Sequence, residues 1–113
     1  MMVRSFLIQR KTTPIIFTIF SNGNFPLNPA LGQSILSFLP IGSYEPQYFM
    51  KIDHMNPEEA LLAHKDLESN FSLGMHFGTF QLTDEPINEP VERLKKTGVT
   101  NFEVLDHGES KKF

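Results

Sequence analysis

The sequence predicts an α/β fold in which helices cover a β-sheet. Runs rich in β-branched and aromatic residues, typical of buried strands, alternate along the chain with helix-like segments, and one of those helices opens on strong start signals. The predicted strands cover residues 15–20, 34–42, 73–75 and 101–105, the helices cover 57–69 and 91–97, and an Asn/Gly/Pro-rich loop covers 21–33.

The first two strands are predicted from their apolar content. The basic start followed by the apolar run 14–20 resembles a signal peptide, but the run is short and no small-x-small cleavage site follows it, so a buried strand is favoured. The segment 34–42 is apolar nearly throughout, as expected for a strand covered on both faces. Pro40 should lie at or near the end of that strand, because proline cannot donate a ladder hydrogen bond.

The first helix has the clearest local signals. Asn56 is a preferred N-cap residue, Pro57 suits the first helical position, and Glu59 completes a capping box. Its packed face should carry Ala60, Ala63, His64 and Leu67, with Leu61 beside it. The next apolar segment, 73–75, ends on His76. Pro86 or Pro90 opens the second helix and Gly98 stops it, before the weakly alternating segment 101–105.

Composition sets the outer limits on function. The chain has 113 residues, which gives room for one domain or part of a larger one, and its net charge of −3 favours neither nucleic-acid nor anionic-membrane binding. It contains no cysteine, which excludes disulfides and thiolate metal sites and is typical of a reducing compartment, so we expect a cytoplasmic protein. The apolar run 14–20 is too short to span a bilayer, so no transmembrane segment is predicted.

Four histidines are the candidate functional residues, and their spacing matches no local metal motif such as H-E-x-x-H. His64 is expected to be structural on the packed helix face, and His107 to be a turn residue before a glycine. His54 precedes an N-cap, where a neutral ring suits either a ligand or a hydrogen-bonding role. His76 is the best candidate, because a histidine that ends a buried strand and precedes a turn is well placed to be a ligand or a base.

Three sequence blocks resemble a known family. LPIGSYEP (39–46), HMNPEEA (54–60) and GMHFGTF (74–80) are similar, in this order, to the C-terminal part of metallo-β-lactamase-fold hydrolases, nearest to the N-acylphosphatidylethanolamine-hydrolysing phospholipase D group and its bacterial relatives. Gly108 and Glu109 match a Gly-Glu near the family's end. The resemblance divides the chain into an atypical segment 1–33, a family-like part 34–110 and a tail 111–113.

The resemblance implies the C-terminal half of a four-layer αββα sandwich, with a mixed sheet and covering helices. It also implies a dinuclear zinc site, at which a metal-bridging hydroxide attacks a phosphodiester or other ester. His76 matches the family's last histidine ligand. His54 matches a histidine that lies at the active site and contacts the substrate, whereas Tyr44 and Glu45 match a loop near the site and receive no role.

Most of the family's metal ligands are absent from this sequence. The motif His-x-His-x-Asp-His does not occur, and residues 17–24, where a bridging aspartate is expected, read FTIFSNGN. No aspartate precedes Asp53. Since a zinc site needs several converging donors, His76 alone cannot hold two metals, and we expect weak or no zinc and no activity from this chain by itself.

Three hypotheses follow from the mixture of matches and gaps. The favoured one is a truncated fragment of a zinc hydrolase, the second is a half-enzyme completed by a separate N-terminal chain, and the third is a non-catalytic α/β binding module. A phosphodiester or phospholipid substrate is expected only for the completed enzyme. Half of a sandwich also leaves an apolar sheet face uncovered, which predicts self-association or poor solubility.

Overall fold

The structure is a computed structural model that describes residues 4–10, 13–19 and 35–112, the first two ranges as backbone only. The predicted loop 21–33 lies outside the described residues. The elements in chain order are strands β1 (Arg4–Arg10), β2 (Thr13–Ile19) and β3 (Leu36–Pro40), helices α1 (Gln47–Met50) and α2 (Pro57–Asp66), strand β4 (Phe71–Met75), helix α3 (Glu89–Lys96) and strand β5 (Phe102–Glu103).

The strands of the described residues form one mixed sheet with the order β1-β2-β3-β4-β5. Strand β1 is antiparallel to β2, whereas β2, β3, β4 and β5 run parallel to one another. The α/β prediction is therefore confirmed, and each predicted strand and helix corresponds to an element. Strand β1 was not predicted, because its short apolar centre lies between arginines and no local pattern reveals its pairing with β2.

Helix α2 begins as predicted and ends earlier than predicted. The amide of Glu59 donates to the Asn56 side chain at 2.8 Å and the Asn56 amide donates to the Glu59 carboxylate at 3.0 Å, which is a complete capping box. Glu68 takes a left-handed conformation (φ 47°), while the amides of Glu68 and Ser69 bond to the carbonyls of Lys65 and His64. This Schellman arrangement stops the helix at Asp66 instead of Ser69.

The core lies between the sheet and the two longer helices. Its buried apolar residues are Leu39, Ile41, Met55, Ala60, Ala63, Leu67, Leu94 and Phe102. Helices α2 and α3 are joined by a bidentate contact between the Arg93 guanidinium and the Glu58 carboxylate, at 2.6 and 3.0 Å. Helix α2 connects β3 to β4 and helix α3 connects β4 to β5, and the strands follow one another in this order across the sheet. Because crossovers between parallel strands are right-handed, both helices cover the same face of the sheet.

The other face of β3 and β4 is also apolar. Register partners on these strands are Leu36 with Phe71, Phe38 with Leu73 and Pro40 with Met75, and partners share a face. Ser37 and Ser72, which alternate with them, bond to the helix side of the sheet. A sheet with two apolar faces is suited to a layered architecture, with helices on one side and a further layer on the other.

Candidate functional site

His54 and His76 come together at the carboxyl ends of the parallel strands β3 and β4. His76 directly follows β4, and His54 follows α1, where its amide donates to the Met50 carbonyl at 2.9 Å. Their rings stack with centroids 5.4 Å apart and planes inclined by 21°. The carboxyl ends of parallel strands are where α/β proteins place their ligands, so the two candidates from the sequence occupy a suitable position.

The backbone around His76 is strained and tightly packed. His76 has φ 61°, a left-handed conformation that costs a non-glycine residue about 1–3 kcal/mol. Its carbonyl oxygen lies against Gly42, just beyond β3, so closely that a Cβ at Gly42 would overlap it. Glycine is therefore required at position 42 for the two strand ends to approach each other.

The electrostatic surroundings keep the His54 ring neutral. Burial lowers the pKa of His54 below its ordinary value and the neighbouring His76 ring lowers it further, while Asp53 and Glu85 oppose the shift. A neutral imidazole carries one donor and one acceptor nitrogen. The His54 ring is therefore able to form a hydrogen bond with a substrate or to hold a cation at neutral pH.

Glu85 is a buried carboxylate beside this pair that sequence analysis missed. It is 6% exposed, and it accepts hydrogen bonds from the amides of Ser43 (2.6 Å), Tyr44 (3.2 Å) and Glu45 (3.1 Å). Burial raises its pKa, but bonds from Thr83 and from backbone amides outweigh burial and the net pKa is lowered. No local signal could have revealed it, because the three backbone amides that it accepts lie about 40 residues upstream.

Two cavities lined by described residues border His76. One of about 190 Å³ lies under the turn after β4; its lining includes Ser43, Phe80, Leu82, Glu85 and Ile87. The other, of about 610 Å³, lies between α3 and the segment after β5. His107 lines the second cavity from an exposed turn, which agrees with its prediction as a turn residue.

Tyr44 and Glu45, near the site by resemblance, serve structure. Tyr44 is fully buried, its hydroxyl donates to Glu89 at 2.9 Å, and the Arg93 guanidinium lies 4.8 Å from its ring centroid. Burial, followed by the Glu89 bond, raises the Tyr44 pKa above its ordinary value. The Glu45 carboxylate accepts the Gln47 amide at the start of α1.

His64 lies away from this site in a buried polar network, as expected for a structural histidine. It is 5% exposed, and its Nδ1 and Nε2 lie 2.7 Å from the Ser72 hydroxyl and 3.2 Å from the Asn101 amide oxygen. Because an amide oxygen only accepts, Nε2 donates to Asn101 and Nδ1 accepts from Ser72 in the neutral ring. Burial lowers the His64 pKa, Lys65 adds to the decrease and the Asn101 bond opposes it.

We predict that His64 makes folding stability depend on pH. Its pKa is lowered in the folded state, so below pH 6.5 the unfolded chain binds a proton that the folded chain does not, and stability falls as pH decreases through that window. The slope for one proton is at most about 1.4 kcal/mol per pH unit. Urea unfolding between pH 5 and 8 should show a shallower slope for His64→Gln than for wild type.

The exposed His107→Gln variant is the control for that measurement. His54 contributes in the same direction as His64 and is present in all three proteins, so only the difference between the slopes is informative. Equal slopes for wild type and His64→Gln would contradict the prediction.

The residues that the structure describes do not form a complete metal centre. Within residues 35–112 no three His, Cys, Asp or Glu side chains converge in a group that could hold a metal ion. Residues 1–34 contain none of these residue types. Zinc sites need three or four protein ligands, so His76 fits one ligand of such a site and not the whole site.

No helix in the described part of the chain combines the length and apolar character needed to cross a bilayer.

Comparisons with known proteins show relatives in one group of hydrolases. The chain is 40% identical over 87 residues to N-acyl-phosphatidylethanolamine-hydrolyzing phospholipase D 1 of Caenorhabditis elegans, covering 70% of this chain and 24% of that protein. It is 37% identical over 97 residues to the mitochondrial N-acyl-phosphatidylethanolamine-hydrolyzing phospholipase D of Saccharomyces cerevisiae, covering 80% and 21%. No protein-family model matches the chain.

A solved structure supports the fold. The metallo hydrolase Igni18 of Ignicoccus hospitalis superposes with a TM-score of 0.57 and 24% identity, over 91% of this chain and 42% of that chain. This chain thus spans about a quarter to a fifth of the curated relatives it matches. The resemblance seen in the sequence is confirmed: the chain corresponds to a C-terminal part of a metallo-β-lactamase-fold hydrolase similar to the N-acyl-phosphatidylethanolamine-hydrolysing phospholipases D.

Proposed function

We propose that this chain supplies part of the active site of a zinc-dependent hydrolase that cleaves the phosphodiester of N-acylated phospholipids. His76 would be one zinc ligand and His54 a substrate contact. The observation that carries the proposal is the stacked His54–His76 pair at the strand ends. The segments 54–60 and 74–80, which contain the two histidines, are two of the blocks that resemble the family in sequence.

The position of His76 suits a ligand. Its ring is exposed at the junction of two cavities, and the strained turn fixes the backbone that carries it. The neutral His54 ring, half-buried beside it, is able to donate one hydrogen bond to a phosphodiester oxygen. The exposed Phe80 and Leu82 on the wall of the smaller cavity provide apolar surface of the kind that an acyl chain contacts.

The same geometry predicts inactivity of the 113-residue polypeptide by itself. The chain offers His76 and His54 near one point and no third His, Cys, Asp or Glu to complete a zinc site there. Tight zinc binding needs the remaining donors to converge on the same point. We therefore propose that these donors come from another polypeptide segment, whether joined to this one or separate.

Complementation tests the proposal. Residues 34–113 are joined to the N-terminal part of the C. elegans relative, or the two are co-expressed as separate chains, and the 113-residue chain is purified alone. Zinc per chain is measured by mass spectrometry, and hydrolysis of N-acyl-phosphatidylethanolamine is measured in mixed micelles. We expect substoichiometric zinc and no turnover from the chain alone. The complemented protein should bind zinc and hydrolyse the lipid.

The arms of this experiment also separate the alternatives. Activity of co-expressed separate chains would favour a half-enzyme over a truncated fragment. A complemented protein that folds but neither binds zinc nor hydrolyses the lipid would overturn the proposal in favour of a non-catalytic module. Turnover by the 113-residue chain alone would overturn the proposal that its donors are insufficient.

A further inference from the structure

Glu85 presents an unusual arrangement, in which one buried carboxylate accepts three consecutive backbone amides. Its Oε1 accepts the amides of Ser43 and Tyr44, and its Oε2 accepts the amide of Glu45. Residues 41–45 belong to no helix or strand, so these amides have no ladder partner of their own. The carboxylate therefore supplies the hydrogen-bond acceptors that the carbonyls of a neighbouring strand would supply in a sheet.

The position of Glu85 argues for more than local satisfaction of donors. Burying a carboxylate is costly, and a loop that needed only hydrogen-bond acceptors could obtain them from water at the surface. Here the charge is retained in a site that is 6% exposed, on the wall of the cavity next to His76. It also acts electrostatically on His54.

A continuous series of contacts connects Glu85 to the histidine pair. Glu85 fixes the amide of Ser43, which has a left-handed backbone (φ 64°). The adjacent Gly42 abuts the carbonyl of His76, whose backbone is left-handed as well. Two strained residues thus lie on either side of one backbone contact, and such conformations persist only where their surroundings determine them.

We propose that Glu85 is a positioning residue that fixes the backbone of residues 43–45 and, through the contact of Gly42 with His76, keeps the His76 ring stacked on His54. The role in catalysis rests on the proposed function of this pair. The positioning itself is a property of the folded chain, and it needs neither metal nor substrate.

The test compares Glu85→Gln with Glu89→Gln in the full chain, using NMR of the histidine rings. In Glu85→Gln the side-chain NH₂ faces an amide donor, so the clamp loses an acceptor and the charge. Glu89→Gln is a matched control, because it perturbs a carboxylate bonded to Tyr44 and Arg93 without touching the three amides. His64, whose ring bonds to Ser72 and Asn101, is the internal reference for intact folding.

We expect Glu85→Gln to lose the nuclear Overhauser effect between the His54 and His76 rings and to shift their signals, while the His64 signals stay in place. Glu89→Gln should retain the effect. A wild-type ring contact in Glu85→Gln, or an equal loss in both variants, would overturn the inference and leave the proposed function untouched. Failure of the complemented protein to hydrolyse lipid would overturn the proposed function and leave the positioning role of Glu85 in place.

Two further variants keep the inference testable when Glu85→Gln is too unstable to study. Glu85→Asp keeps the charge on a shorter side chain, so it should reach fewer of the amides and weaken the ring contact. Gly42→Ala leaves Glu85 unchanged. It should disrupt the backbone contact between residues 42 and 76, because the added Cβ displaces the His76 carbonyl. Wild-type ring contacts in both variants would overturn the proposed route.

Discussion

Replacing His76 with alanine should lower lipid hydrolysis by the complemented protein about 100-fold or more, together with its zinc content. Mutating a residue that orients a metal ligand lowers metal affinity or activity about 10- to 100-fold. Removing the ligand itself should cost at least as much. The structure supplies no spare donor at this point, because His54 is the one other histidine in contact within the described residues. Zinc per chain and initial rates, measured on the same preparations, check the prediction.

Two neighbouring histidines provide controls for that result. His107→Ala removes an exposed ring from the larger cavity and should leave zinc and turnover close to wild type. His54→Ala should lower turnover while keeping most of the zinc, since the proposal makes this ring a substrate contact. Full zinc and full activity in His76→Ala would exclude it as a ligand, and loss of zinc in His54→Ala would make His54 a ligand too.

Local chemistry accounts for the parts of the fold that the sequence predicted well. The capping box of Asn56 and Glu59 involves residues three apart, so its signals are visible in a short window. The same is true of Pro40 at the end of β3 and of Gly98, which follows α3 with φ 69°. His64 was also correctly expected to be structural, because its helical position places it with the apolar residues of one face.

Long-range pairing accounts for what the sequence did not predict. Strand β1 exists through its antiparallel register with β2, and the Glu85 clamp exists through residues about 40 positions upstream. Neither leaves a periodic or motif-like trace in its own segment. Helix α1, with four residues, is likewise too short to produce a detectable pattern.

The three sequence blocks that resemble the family acquire a common physical meaning in the structure. The first block contains Gly42 and the clamped backbone of residues 43–45, the second contains His54, and the third contains His76 in its strained turn. They are distant in sequence and meet at one end of β3 and β4. The residues that resemble the family therefore include the backbone contacts of the candidate site as well as His54 and His76.

Replacing Leu39 with alanine should destabilise the fold by about 2–5 kcal/mol, the range for deleting a fully buried leucine side chain. Leu39 is 0% exposed in the central strand β3 and belongs to the core cluster. Its register partner on β4 is Gly74, which has no side chain to move into the space that the truncation leaves. Urea unfolding monitored by circular dichroism would give the free energy of unfolding of both proteins.

Leu62→Ala is the matched control, because Leu62 lies on α2 and is 58% exposed. This variant should change the free energy of unfolding by no more than about 0.5 kcal/mol, as is usual for surface substitutions. The same atoms are removed in both variants, so burial is the main difference between the two leucines; the lower strand propensity of alanine adds at most about 1 kcal/mol at Leu39. A similar small change in the free energy of unfolding of both variants would mean that β3 is not at the centre of the core. A rigid sheet would then not explain how Gly42 and His76 are held together at the strand ends.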